Sequence, residues 1–208
     1  MPTYRRQLPH VYEAGQPLFI TWRLQGSLPV DRFFHRNLTS GEEFAAMDKL
    51  LDKASTGPKH LSNPEVANIV MQSLYFGETL DHYKLHAFAV MSNHVHVLIT
   101  PLIPLPKLMQ SLKGFSARRA NLLLGLTGAF WQKESYDHLV RNDTEFIRIK
   151  RYIENNPVRA GLASTPEAFL WSSAGAVLGP PADCKADPRS AVGPRSAVGP
   201  RTTSTHHE

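Results

Sequence analysis

The stretch that most constrains this chain is residues 85–100, two apolar runs on either side of Ser92-Asn93. Leu85 through Met91 is apolar enough for an inner strand, Ser92-Asn93 supplies a two-residue turn, and a second apolar run leads to Thr100. The segment therefore predicts a tight β-hairpin. Side chains alternate across a strand, which puts Val95, Val97 and Ile99 on one face and His94, His96 and Leu98 on the other. Positions two apart on a strand are separated by roughly 6–7 Å at Cα, near enough for ring nitrogens to converge on one metal ion. The pair alone leaves two readings open: a metal site, or two histidines satisfied on a half-exposed strand.

The rest of the chain supplies the layers around this hairpin. Residues 17–24 are aromatic and β-branched and predict a first strand. Phe44, Met47, Leu50 and Leu51 recur at helical spacing and predict a helix over 42–54, broken at 55–58. Asn63 before Pro64 is a helix start, and Val66, Ile69, Val70, Leu74 and Tyr75 give that helix a buried face. A long helix over 105–124 closes at Gly125 to Gly128, and a strand follows over 131–141. The last helix is expected over 143–156, capped by Asn142 or Asp143 and stopped by Pro157. Phe146, Ile149 and Ile153 form its buried stripe, with Tyr152 and Asn156 four apart at the edge. This order points to an α+β fold: a ferredoxin-like antiparallel sheet with packed helices, spanning 8–178. From residue 179 the composition changes, and 188–193 repeats as 194–199. Such a segment has too little apolar surface to offset its ordering entropy, so 179–208 is expected to be a disordered tail.

Composition narrows the function. A 42% hydrophobic content in 208 residues supports one core. The 23 Lys and Arg against 18 Asp and Glu, a net +5, tilt toward a nucleic-acid or phosphate partner. Cys184 has no second cysteine to pair with, which fits a reducing cytoplasm. The N-terminus lacks the apolar core of a signal peptide, and no apolar run reaches membrane-spanning length. No Ser-His-Asp arrangement, zinc-type cysteine cluster or phosphate-cradling glycine loop competes for an active site.

Taken together, the motifs resemble the REP-associated tyrosine transposases of the HUH single-strand transposase superfamily. The resemblance starts near Leu8-Pro9-His10 and runs through Phe19-Ile20-Thr21-Trp22-Arg23 and Met91-Ser92-Asn93-His94-Val95-His96. It continues through Trp131-Gln132-Lys133-Glu134-Ser135-Tyr136-Asp137-His138 and Tyr152-Ile153-Glu154-Asn155-Asn156-Pro157, and ends at Trp171-Ser172-Ser173. Many relatives have Pro where this chain has Ser92, a change a hairpin turn should absorb. Residues 31–62 match only loosely and receive no role.

The resemblance implies a metal-dependent enzyme that cleaves and rejoins single-stranded DNA at hairpin-forming repeats through a 5′-phosphotyrosine. On that basis Tyr152 matches the nucleophile, His94 and His96 the metal-binding histidines, and Asn156 a third, polar ligand. Such a donor set suits Mg2+ or Mn2+. A phenol is mostly neutral at pH 7 and needs a base; His138 and Glu154 are sequence candidates. Lys113, Arg118, Arg119, Arg148, Lys150 and Arg151 are candidate phosphate contacts. Phe130, Trp131 and Tyr136 are candidate stacking groups for an unpaired base, with core packing the stronger expectation for Trp131. Tyr136 is the rival nucleophile. A monomer or a homodimer fits equally, and the competing class is a DNA-hairpin-binding protein that does not cut.

Overall fold

In the computed structural model the described residues are 12, 15–28, 40–53 and 57–175. The expected tail from 179, the domain boundary before it and the motif near Leu8-Pro9-His10 lie outside them. The elements are β1 (Leu18–Leu24), α1 (Ser40–Asp52), α2 (Pro64–Thr79), β2 (Tyr83–Val90), β3 (His94–Pro101), α3 (Leu105–Leu124), β4 (Trp131–Leu139) and α4 (Asp143–Arg159). The strands form one four-stranded sheet in the order β2-β3-β1-β4, with every pairing antiparallel. That is the ferredoxin-like arrangement expected from the element order.

β2 and β3 close through Ser92-Asn93, where the Met91 N–H donates to the His94 carbonyl at 2.9 Å. β3 then lies in the interior of the sheet between β2 and β1, with His96 opposite Thr21 and His94 opposite Arg23. The alternation is as the sequence predicts. Leu18, Ile20, Trp22, Val95, Val97 and Ile99 face one way and are buried under α2 and α3, against Val66, Val70, Leu74, Leu108 and Leu112. Phe19, Ala87, Ala89 and Leu98 face the other way and are buried with Phe44 of α1 and Ile149 and Ile153 of α4. The free edge of β2 is partly covered: Val90 N–H donates to the Trp171 carbonyl and Ser173 N–H to the Phe88 carbonyl, each at 2.9 Å.

Asn63 caps α2 and Asn142 caps α4, each side chain accepting from the backbone N–H of a following glutamate. The C-terminal boundary of α4 differs from expectation. Pro157 does not stop α4 but lies inside it, and the helix runs on to Arg159. A proline removes only its own N–H bond to the carbonyl four residues back, so near a helix end the loss is small. The Ala160 N–H still donates to the Asn156 carbonyl at 2.9 Å, and Leu162 N–H to the Pro157 carbonyl at 2.8 Å. Gly161, at φ +72, makes the left-handed turn that ends the helix.

Candidate metal centre and tyrosine site

The second face of the sheet carries the polar cluster. His94 and His96 project from β3, Asn156 and Tyr152 from α4, and Asp48 from α1. His94 Nε2 and His96 Nε2 stand 2.9 Å apart. Asp48 Oδ1 is 3.0 Å from His96 Nε2 and 3.4 Å from His94 Nε2. Asn156 Nδ2 lies 3.0 Å from His96 Nε2 and 3.3 Å from Asp48 Oδ2. Tyr152 donates its hydroxyl to Asp48 Oδ2. One carboxylate therefore touches both the histidine pair and the tyrosine.

The outer nitrogens of both rings are held. Asn93 donates its amide N–H to the Leu51 carbonyl at 3.0 Å, which turns Asn93 Oδ1 toward His94 Nδ1 at 2.7 Å. An amide oxygen only accepts, so His94 Nδ1 carries the proton and His94 Nε2 presents a lone pair to the cluster. His96 Nδ1 meets the Thr21 hydroxyl at 2.7 Å. Such partners fix a ligating imidazole's orientation and tautomer.

These groups fit a metal. His94, His96 and Asn156 are fully buried and Asp48 is 1% exposed. Among the described residues, Asp48 Oδ1 and Asn156 Oδ1 are buried oxygens with no hydrogen-bond donor. A ligand atom from each of Asp48, His94 and His96 lies within 4.8 Å of the others. Burial raises the Asp48 carboxyl, yet the His96 and His94 imidazoles beside it outweigh that and hold it well below the usual carboxylate range. Burial, then His96, push the His94 imidazole down. A buried carboxylate beside a neutral imidazole and two unfilled oxygens is a cluster short of positive charge. Two nitrogens and two oxygens form a donor set that suits a divalent metal ion. Asp52, 4.0 Å from His94 Nε2, is pushed up to about 6 by burial and then by the Asp48 charge.

Tyr152 sits at the rim of this cluster, its ring edge-on to His96 with centroids 5.9 Å apart. Burial, then the Asp48 charge, raise its phenol well above the ordinary range, while the Arg159 guanidinium acts in the opposite direction. Tyr136, the rival, stacks on Phe44 at 4.4 Å on the same face.

Of the residues singled out in the sequence, the fold brings His94, His96, Asn156 and Tyr152 together. It does not bring either sequence candidate for the base to the phenol: His138 pairs with Glu145 at 3.0 Å, and Glu154 accepts from Ser173 at 3.2 Å. The hydroxyl's acceptor is Asp48, from the segment that had received no role. Thr21 and Asn93 were also missed as orienting groups. No local pattern marked Asp48, which lies on a predicted amphipathic helix in the loosely matching segment 31–62.

The candidate phosphate contacts fall into two groups. Lys113, Arg118 and Arg119 belong to α3, which packs on the opposite face of the sheet from the histidines. Lys113 donates to the Gln132 and Lys133 carbonyls at 2.7 and 2.9 Å, and Arg119 lies over Phe115. Arg148, Lys150 and Arg151 are on α4 beside Tyr152, with Arg148 3.4 Å from Glu145. Trp131 is buried and donates to Ser116 Oγ at 3.0 Å, so it packs in the core. Phe130, equally buried, lies edge-on against it.

Comparison with known proteins follows the same lines. Residues 60–156 match the family model described as an IS200-like transposase, a span that holds the hairpin and Tyr152. That segment, under half of the chain, is similar to the IS200-like transposases, a likeness that supports a transposase-type function on DNA. Among solved structures it is similar to a REP-associated tyrosine transposase bound to a REP hairpin, at 17% identity and a TM-score of 0.54, covering 98% of this chain and 100% of that one. The fold expected from the resemblance to the REP-associated tyrosine transposases is therefore borne out. A transposase structure from Deinococcus radiodurans aligns at 19% identity over 73% of this chain and 98% of that one, with a TM-score of 0.33. No curated protein matches the chain. No helix among the described residues is long and apolar enough to cross a membrane.

Proposed function

We propose that this protein is a metal-dependent transposase that cleaves and rejoins single-stranded DNA at hairpin-forming repeats in the cytoplasm, with Tyr152 as nucleophile. The observation that carries the reading is the shared carboxylate: Asp48 contacts both imidazoles through Oδ1 and the Tyr152 hydroxyl through Oδ2. His94, His96, Asp48 and Asn156 would hold Mg2+ or Mn2+. The bound ion supplies charge neutralisation and orientation at the scissile phosphate.

The chain's own groups do the remainder. Tyr152 oxygen forms the bond to phosphorus as the bond to the 3′ oxygen breaks; the electron pair leaves on that oxygen, which takes up a proton. The phosphodiester count is unchanged, so a second 3′ hydroxyl can reverse the step on a different strand without ATP. The phenol proton leaves toward Asp48 Oδ2, the acceptor already on it. Arg148, Lys150 and Arg151, exposed on α4 beside this site, would lie along the strand.

The test is a denaturing gel with a 5′- or 3′-labelled single-stranded hairpin oligonucleotide and Mn2+. Tyr152→Phe should abolish the covalent protein–DNA adduct and Tyr136→Phe should retain it; the reverse pattern sinks the assignment. Hairpin binding by the wild-type protein with no adduct on any substrate would instead support the non-cleaving DNA-binding class.

A further inference from the structure

Resting on the cleavage reading above, we propose that Arg159 is a catalytic residue: its guanidinium holds the scissile phosphate against Tyr152 and neutralises the charge that builds up during attack. The continuation of α4 past Pro157 is what puts it there. Tyr152 and Arg159 are seven positions apart, close to two helical turns, so they share one stripe with Asn156 between them. The guanidinium carbon lies 5.1 Å from the centroid of the Tyr152 ring.

Two features set Arg159 apart. It is exposed at a site whose histidines, Asp48 and Asn156 are buried, and among the described residues it is the α4 cation placed over the Tyr152 ring. No carboxylate ion-pairs with it among the described residues, whereas Arg148, one helical turn before Tyr152, is paired with Glu145.

The chemistry suits a guanidinium. Attack forms the Tyr152 oxygen–phosphorus bond and breaks the bond to the 3′ oxygen, with the phenol proton released and the 3′ oxygen protonated. Nothing is oxidised or reduced. Negative charge spreads over the two non-bridging oxygens, and a planar guanidinium offers two parallel N–H donors at the matching separation. A lysine supplies the charge without the fork.

The experiment compares adduct formation by wild type, Arg159→Ala and Arg159→Lys on two oligonucleotides with Mn2+. One carries the natural scissile phosphodiester; the other carries an uncharged methylphosphonate at that linkage. On the natural linkage Arg159→Ala should slow adduct formation by about 10²–10³-fold, with Arg159→Lys between it and wild type. On the methylphosphonate the Arg159→Ala deficit should shrink to about tenfold or less, because a neutral methyl group replaces one of the two non-bridging oxygens that the guanidinium would pair with. Electron paramagnetic resonance titration of Mn2+ into DNA-free protein should give the same affinity for wild type and Arg159→Ala. An equal loss on both linkages, or altered Mn2+ affinity, would reduce Arg159 to a packing partner of Tyr152 and overturn the proposal. Full activity of Arg159→Ala alongside active wild type overturns it too, while an absence of adduct from wild type overturns the cleavage reading itself.

Discussion

The two faces of the one sheet have opposite jobs. On the first, Leu18, Ile20, Trp22, Val95, Val97 and Ile99 meet the apolar sides of α2 and α3 in a hydrophobic cluster. On the second, the same two central strands contribute Phe19, Thr21, His94, His96 and Leu98, and the helices above bring Asp48 and Asn156. Burying such polar groups opposes folding unless partners or a cation compensate. The first face supplies stability by apolar burial, and the second uses the resulting rigidity to hold two ring nitrogens 2.9 Å apart. Stability and chemistry are thus separated by the thickness of one strand.

That separation can be broken most sharply at adjacent residues of β3. His96→Ala should remove Mn2+-dependent adduct formation by at least about 10³-fold. Val97→Ala, one residue on, should cost about 2 kcal/mol of stability in urea unfolding and leave the rate per folded molecule near wild type. If Val97→Ala lowers the rate as much as His96→Ala at full folding, the two faces are not independent.

A smaller effect should follow from the residues that orient the rings. Thr21→Val keeps the shape of β1 but removes the hydroxyl at His96 Nδ1. Mn2+ affinity, measured by calorimetry, should fall about 10–100-fold with little change in thermal midpoint. An unchanged affinity would show that packing against Phe19, Phe44 and Tyr152 positions the ring without the hydroxyl.

Asp52 sharpens the comparison through pH. Its carboxyl is raised from 3.8 in the unfolded chain to about 6 in the fold, chiefly by burial. The folded state therefore favours the neutral acid, so the stability Asp52 contributes is complete below pH 3.8 and is lost as pH rises through about 6. In chelator-treated protein, Asp52→Asn should raise the melting temperature at pH 7.5, and the gain should disappear at pH 4. A gain that persists at pH 4 would mean the substitution acts through packing. Smallest of all, Arg151→Ala on the exposed side of α4 should reduce the salt slope of oligonucleotide binding by about 1 and leave the metal site untouched.

The hairpin, its turn and its alternation were legible because they depend on residues adjacent in the chain: period two for the strand, Ser92-Asn93 for the turn. The helix boundaries were legible for the same reason, through the Asn63 and Asn142 caps, and the motifs pointed to Tyr152 and Asn156. The end of α4 was misjudged, since a proline's effect depends on how many helical bonds remain beyond it, and Gly161 is what stops the helix. Asp48 lies more than forty residues from either histidine and on a different element, so no local pattern marks it. By itself, then, the sequence determined which side chains lie on which face, because that follows from backbone periodicity. Only the tertiary structure decided that α1 closes over that face, that Asp48 joins the histidines to Tyr152, and that Arg159 stands over the tyrosine ring. Those contacts depend on how separate elements pack, which no local spacing encodes.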